Sequence, residues 1–567
     1  MFISLPRQAQ DALDWSWSEF EPFAQQLLAE PLSQANLDEW MDRWTHLTDL
    51  IQEVFNRLYV ATTIDTTDVQ AENRFEHFLE DVLPAQLAAG QKLKEKLLNS
   101  GLQPKNFEIP MRNMQAEAGL FREINLPLRS EIEKLKLEYD KIVGAQTIEW
   151  EGSERTLTQL EPIYQEPDRS KREQAFRLAA ERQLQDRQAL NSLWDKLLEL
   201  RRQTAHNAGL PSYTSYRWQE LLRFDYTPAD CALFRDAIEA EVVPAASRRY
   251  EKRRQQLGVD TLRPWDLAVD PLNRPPLVPY QRTADLVYKT QAVFDQVDSQ
   301  LGNYFQSMQD ENLLDLENRK GKAPGGYCID YPLAKRPFIF MNGVGLHEDV
   351  QTLLHEGGHA FHVFEINLLP YQQQKIVPME FAEVASMSME LLASPYLSGG
   401  GDSFYTTAHA ARARLEHLEK ALLFWPYMAV VDGFQHWVYA NSEEALDAAN
   451  CDRVWSDLWD RYMPGIDYSG MEEYKRTGWQ RKLHIFQEPF YYVEYGLAQL
   501  GAVQVWQNAR RDQASAVTSY RRALSLGGTV SLPELFRTAG ARFAFDAGTL
   551  RSAVSLIESV ITELESA

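Results

Sequence analysis

The sequence predicts a mainly α-helical protein, an elongated helical bundle body in two lobes with one small β-hairpin and edge-strand element. Three observations predict it. Apolar residues recur at intervals of three and four along most of the 567 residues, the period of an amphipathic helix. Alternation at period two is confined to two short stretches. The length exceeds what a single hydrophobic core ordinarily serves, so more than one lobe is expected.

The elements follow in order. LDEWMDRWTHLTDLIQEVFNRLY (37–59) spaces Trp, Leu, Ile, Val and Phe at threes and fours and predicts a helix. AQTIEWEGSERTLTQL (145–160) alternates on either side of Glu151-Gly152-Ser153 and reads as one hairpin. It marks the expected boundary between an N-terminal helical lobe, 1–145, and a larger part, 146–567. QAFRLAAERQLQDRQALNSLWDKLLELRRQTAHNAGL (174–210) reads as a single helix ending at Gly209. DPLNRPPLVPY (270–280) is a proline-rich loop. GGYCIDYPLAKRPFIFMNG (325–343) reads as extended, and Pro332 and Pro337, which donate no ladder hydrogen bond, confine it to a sheet edge. LLHEGGHAFHVF (353–364) keeps a helical period although each of its two glycines costs ~1 kcal/mol relative to alanine. PMEFAEVASMSMELLAS (378–394) is a following helix with Pro378 at its N-terminus. YLSGGGDSF (396–404) reads as a flexible connection.

Composition narrows the function. A net charge of -23 argues against a phosphate backbone as ligand, which needs clustered Lys and Arg. No nucleic-acid partner is expected. The most apolar run, ALLFWPYMAVV (421–431), is too short to span a bilayer and is followed by Asp432, so no membrane partner is expected either. The opening MFISLPRQAQDALDWSW lacks the basic and apolar regions of a secretory leader. Cys231, Cys328 and Cys451 lie far apart, with neither metal-type pairing nor a disulfide framework. These features predict a cytoplasmic protein.

The chemistry is concentrated at 355–359. His355, Glu356 and His359 form H-E-x-x-H, and residues four apart on a helix lie one above the other, so both imidazoles reach one metal ion. Glu356, rotated by about 100°, would address a water on that metal without ligating it. A catalytic zinc takes three protein ligands and keeps a position open. The pattern H-E-x-x-H-x-x-G-x-x-H would supply a third histidine, but Glu365 stands at that position and His362 replaces the turn glycine. The third ligand is then sought on the following helix, where Glu380 and Glu383 are rivals on spacing alone; Glu390 is one heptad beyond Glu383. His362 reads either as a packing histidine or as support for a ligand.

HEGGHAFH followed by FAEVASMSMELL resembles the thimet oligopeptidase and oligoendopeptidase F family of zinc metallopeptidases. In that family the helix reads H-E-x-G-H-x-x-H, and the third ligand is a glutamate within F-x-E-x-x-S-x-x-x-E. Phe381, Glu383, Ser386 and Glu390 match. The resemblance therefore implies His355, His359 and Glu383 as metal ligands for one zinc ion per chain, with Glu390 supporting them. The family usually carries proline before the serine; Ala385 stands there. GKAPGGYC (321–328) is similar to the family's glycine-rich segment, HIFQEPFYYVEYGLAQ (484–499) to its His and Tyr segment, and VVDGFQHWVY (430–439) to the oligoendopeptidase F branch. The first ~140 residues carry no matching motif. The resemblance further implies a deep cleft between the lobes that admits short peptides and excludes folded proteins.

These residues suit peptide hydrolysis. Zinc polarises a carbonyl and acidifies a water, Glu356 takes the proton, and a further donor stabilises the oxyanion. His484, Tyr492 and Tyr495 are the candidates for that donor. Tyr492 and Tyr495, three apart, share a helix face, and Tyr491 points off it. An extended substrate would pair with the FIFMN strand. Gly357 and Gly358 leave room for another backbone to approach, either substrate or a neighbouring helix. The expected activity is a zinc-dependent endopeptidase for short oligopeptides. A zinc aminopeptidase is the first alternative, and VPMEF (377–381) is the only echo of an amine-capturing G-x-M-E-N segment. A non-catalytic helical binding protein is the second, and it would want cysteine near the metal.

Overall fold

A computed structural model describes residues 5–319, 321–323, 325–399 and 403–566. Among them are 23 α-helices and five strands, so the protein is mainly α-helical. The strands are β1 (Thr147–Trp150), β2 (Ser153–Thr156), β3 (Leu314–Glu317), β4 (Tyr327–Tyr331) and β5 (Arg336–Gly343). The chain forms two compact units, each built from three segments: Met1–Gly119, Leu277–Ala413 and Ala498–Phe543 in the first, and Leu120–Pro276, Arg414–Leu497 and Ala544–Ala567 in the second. The boundary expected at 145/146 falls inside the second unit, at the foot of the β1–β2 hairpin.

In the first unit, the helix Leu37–Ile64 extends the expected one by a turn. It buries Trp40, Trp44, Leu47, Leu50, Ile51, Val54 and Leu58 in one core with Phe20, Phe23, Leu97 and Phe107. Full burial of such side chains stabilises by about 1.5–3 kcal/mol each. The Trp40 indole N–H donates to the Leu27 carbonyl at 3.0 Å, so the ring is buried without an orphaned donor.

The three-stranded sheet of this unit has the order β3-β5-β4. The 336–343 strand is therefore interior, not an edge. Ile339 of β5 faces Leu314 of parallel β3 on one flank and Cys328 of antiparallel β4 on the other. Pro337 is tolerated because the pairing with β3 begins only at Ile339; at position 337 β5 has β4 alone as neighbour. Strand addition at Ile339 and Phe340, in the middle of FIFMN, is excluded, since both flanks are taken there. The glycine-rich segment leads into β4, with Gly321 and Gly325 at positive φ; Pro324 lies outside the described residues, as do Gly400, Gly401 and Asp402 of YLSGGGDSF.

In the second unit, the β1–β2 hairpin is as expected. Glu151 (φ 49°) and Gly152 (φ 77°) form its two-residue turn, and positive φ at both positions matches the right-handed strand twist. The single helix expected over 174–210 is two, Arg169–Gln185 and Arg187–Asn207. They part at Asp186, whose carboxylate accepts from Gln146 at 2.9 Å and Arg182 at 2.7 Å, ties that periodicity cannot register. The C-terminal end holds: Gly209 has φ 77°, and the Leu210 amide reaches back to the Ala205 carbonyl. The thiols of Cys231, Cys328 and Cys451 are free. Among the described residues, no helix is long and apolar enough to cross a membrane.

Candidate metal centre

The helix His347–Ile366 carries H-E-x-x-H, and the helix Met379–Ala393 packs along it. The first is anchored where it leaves β5. One Asp349 carboxylate oxygen accepts from the amides of Val344, Gly345 and Leu346 at 2.7–2.9 Å and from the Tyr280 hydroxyl at 2.5 Å. A carboxylate at a helix N-terminus satisfies orphan donors and complements the helix dipole. The helix then runs straight through 362, as expected from the absence of a turn glycine.

The two glycines have a structural account. A Cβ on Gly358 would lie 2.6 Å from the Ala385 carbonyl oxygen and 2.6 Å from the Ser386 Cα. A Cβ on Gly357 would lie 2.6 Å from the Phe294 ring. The approaching backbone is the neighbouring helix. Ala385 is the residue that stands where the family pattern has proline, and its carbonyl also accepts from the Tyr520 hydroxyl at 2.8 Å. Gly358→Ala is accordingly expected to destabilise. The added methyl meets backbone rather than a yielding side chain, and overpacking of this kind costs about 1–3 kcal/mol, against ~1 kcal/mol of helix propensity gained. Thermal unfolding measures the loss, and zinc titration of the same variant is expected to show weaker binding because Glu383 shifts with its helix.

That close approach brings three ligand atoms together. His355, His359 and Glu383 each offer one, all within 4.8 Å of one another. The Glu383 oxygen lies 3.5 Å from His355 Nε2 and 3.6 Å from His359 Nε2. Tetrahedral zinc with bonds of about 2.0–2.1 Å separates its ligand atoms by about 3.3–3.4 Å, so the residues fit this ion. His355 Nδ1 pairs with Glu390 at 2.7 Å, which leaves Nε2 free to ligate. The Ser386 hydroxyl donates to the Glu383 carboxylate at 3.0 Å and orients it. Glu380 is buried one turn away and stands outside this group. His362 is buried against Phe381.

Burial and neighbouring charges separate the ionisation of these groups. Burial pushes His359 down to about 4 and His362 down to about 3. Burial would also lower His355, but hydrogen bonds to Glu383 and Glu390 raise it well above the usual histidine range. Glu383 is held at about 2, where burial, which raises it, is outweighed by His359 and His355. Glu356 is raised to about 7, chiefly by burial, and the Cys328 amide of β4 donates to its carboxylate. Every residue but proline has such an amide, so nothing in the sequence singled it out.

His484, Tyr492 and Tyr495 lie in the second unit and cluster there. The His484 ring is 5.2 Å from Tyr492, 5.9 Å from Tyr495 and 5.8 Å from Tyr491. The expected register needs correction at Tyr491. The helix begins at Tyr492, and Phe490 before it has φ 65°. Tyr491 thereby comes to lie 5.3 Å from Tyr495, and both are half-buried. Tyr492 is only 6% exposed, packed on Phe424 and Tyr427 with the Lys482 ammonium 4.2 Å over its ring.

Comparison with known proteins gives consistent results. Residues 163–554 match the model of peptidase family M3. A solved oligoendopeptidase F superposes with a TM-score of 0.88 at 30% identity, covering 97% of each chain. PZ peptidase A, solved with an inhibitor, superposes with a TM-score of 0.88 at 29% identity over 99% of this chain and 98% of its own. Oligopeptidase PepF of Bacillus subtilis (strain 168) is 23% identical over 335 residues, 57% of this chain and 47% of PepF. The chain spans about half the length of the curated relatives it matches.

Proposed function

The chain belongs to peptidase family M3, and from that membership we propose that it is a zinc-dependent endopeptidase hydrolysing internal bonds of short oligopeptides. The observation that carries the reading is the convergence of His355, His359 and Glu383 with Glu356 beside them. Two imidazole nitrogens and one carboxylate oxygen leave a fourth position open, the donor set of a catalytic rather than a structural zinc. Bound there, zinc would polarise the scissile carbonyl and acidify water. Glu356 holds the proton released on attack and passes it to the leaving nitrogen. Glu390 orients His355, and Ser386 orients Glu383. The three dispersed thiols suit a reducing, cytoplasmic setting.

The test is mass spectrometry of a mixture of short peptides before and after incubation, with and without chelator. Internal cleavage that disappears with chelator and returns with zinc is the expected result. N-acetylated peptides are expected to be cut as well as free ones; a requirement for the free amine would make the protein an aminopeptidase.

His484 and one of the neighbouring tyrosines supply the second donor to the oxyanion in this proposal. Tyr→Phe at that position removes a hydroxyl and little volume. Turnover is expected to fall by about 10²–10³-fold with little change in KM. One of Tyr495→Phe and Tyr491→Phe, at the half-buried positions, is expected to act this way, and the other to leave turnover near that of the parent. Tyr492→Phe, within the aromatic packing, discriminates: loss of stability with unchanged turnover marks its hydroxyl as structural.

A further inference from the structure

From His484 to Glu494 the chain runs out of the short helix Leu483–Gln487, through an irregular turn at 488–491, into the helix starting at Tyr492, and Phe490 in that turn holds a left-handed conformation that a non-glycine residue adopts at a cost. Carbonyls in such a segment still need donors. Four of them are met by guanidinium groups from earlier in the chain. Arg217 donates to the Pro489 carbonyl at 3.2 Å, and Arg223 to that of Phe490 at 2.7 Å. Arg201 donates to the Ile485 carbonyl at 3.4 Å and to the Phe486 carbonyl. Gln435 completes the set, donating to the His484 carbonyl at 3.4 Å and accepting from the Phe490 amide at 3.1 Å.

The three arginines differ. Arg217 also pairs with Glu220 and Glu488, and Arg223 with Glu494. Arg201 is 1% exposed, and among the described residues it meets no carboxylate; its remaining partner is the Tyr439 hydroxyl at 3.0 Å. Burying a full charge against neutral oxygens is expensive, and packing alone is served better by an apolar side chain of similar volume. What the planar fork does is hold two successive carbonyls that directly follow His484. We infer that Arg201 is a positioning residue for His484: it fixes the backbone at Ile485 and Phe486 and so sets where the imidazole stands. This rests on the role proposed above for His484 in the reaction.

The experiment compares Arg201→Met and Arg201→Lys in the parent and in His484→Ala. Misplacing a reacting group by about 1 Å costs about 10²-fold. A fall in kcat of that order is expected for Arg201→Met, with KM and zinc content unchanged, and a smaller fall for Arg201→Lys, which keeps the charge without the fork. In the His484→Ala background neither substitution is expected to lower kcat further. A further loss there equal to that in the parent overturns the inference, as does an activity loss that tracks loss of zinc or of folded protein. Should Arg201→Met fail to fold, Arg201→Lys in the same two backgrounds carries the comparison. If His484→Ala by itself leaves kcat unchanged, the role proposed for His484 is what fails, and that control separates the two failures.

Discussion

Glu356→Gln is expected to bind zinc like the parent and to lose turnover by at least about 10²–10⁴-fold, the span of general-base catalysis. The substitution is nearly isosteric. The glutamine carbonyl still accepts from the Cys328 amide, which donates to Glu356 in the parent, so the side chain keeps its place. The three ligand atoms are untouched. What is lost is the capacity to take a proton. Metal analysis beside kcat on a short peptide checks both halves. A variant that loses its zinc would make Glu356 a ligand and refute the assignment.

Glu383→Ala is expected to lose metal affinity and activity together. It deletes the single anionic group of the three proposed ligands, while the Ser386 hydroxyl keeps its bond to the backbone carbonyl of residue 383, so the helix is left intact. Mutating a residue that merely supports a ligand costs about 10–100-fold in metal affinity, so losing the ligand itself should exceed that. Titration with zinc against a competing chelator measures the loss. Glu380→Ala is the control: its carboxylate stands outside the ligand group, and this variant should stay metal-loaded. The converse pair of results would move the third ligand one helical turn toward the N-terminus.

Much of the site was legible because it is written in short-range spacing. His355 and His359 are four apart, and any helix through them brings their rings to one side; the ring centroids are 5.0 Å apart. Spacing could not choose between Glu380 and Glu383, because both lie on one helix and the choice depends on how that helix is set against another. The family pattern pointed to Glu383. The structure gives a physical reason for that setting: Gly358 admits the Ala385–Ser386 backbone and so brings the Glu383 carboxylate to the two imidazoles.

The sequence by itself determined the helical class, the β1–β2 hairpin, the Gly209 helix end and the pair of histidines. Each follows from residues within one or two turns of one another, where dihedral preference and periodicity act directly. Only the tertiary structure decided that β5 is interior, that the 174–210 helix parts at Asp186, that Tyr491 rather than Tyr492 is half-buried beside Tyr495, and that three arginines hold the carbonyls after His484. In each case the deciding partner lies outside the element itself: β3 beside β5, Gln146 at Asp186, Arg223 and Gln435 at the left-handed Phe490 that precedes Tyr491, and the three arginines at the carbonyls. Such contacts form only after distant segments have been brought together, and the local pattern of a strand or helix carries no record of which segment that will be.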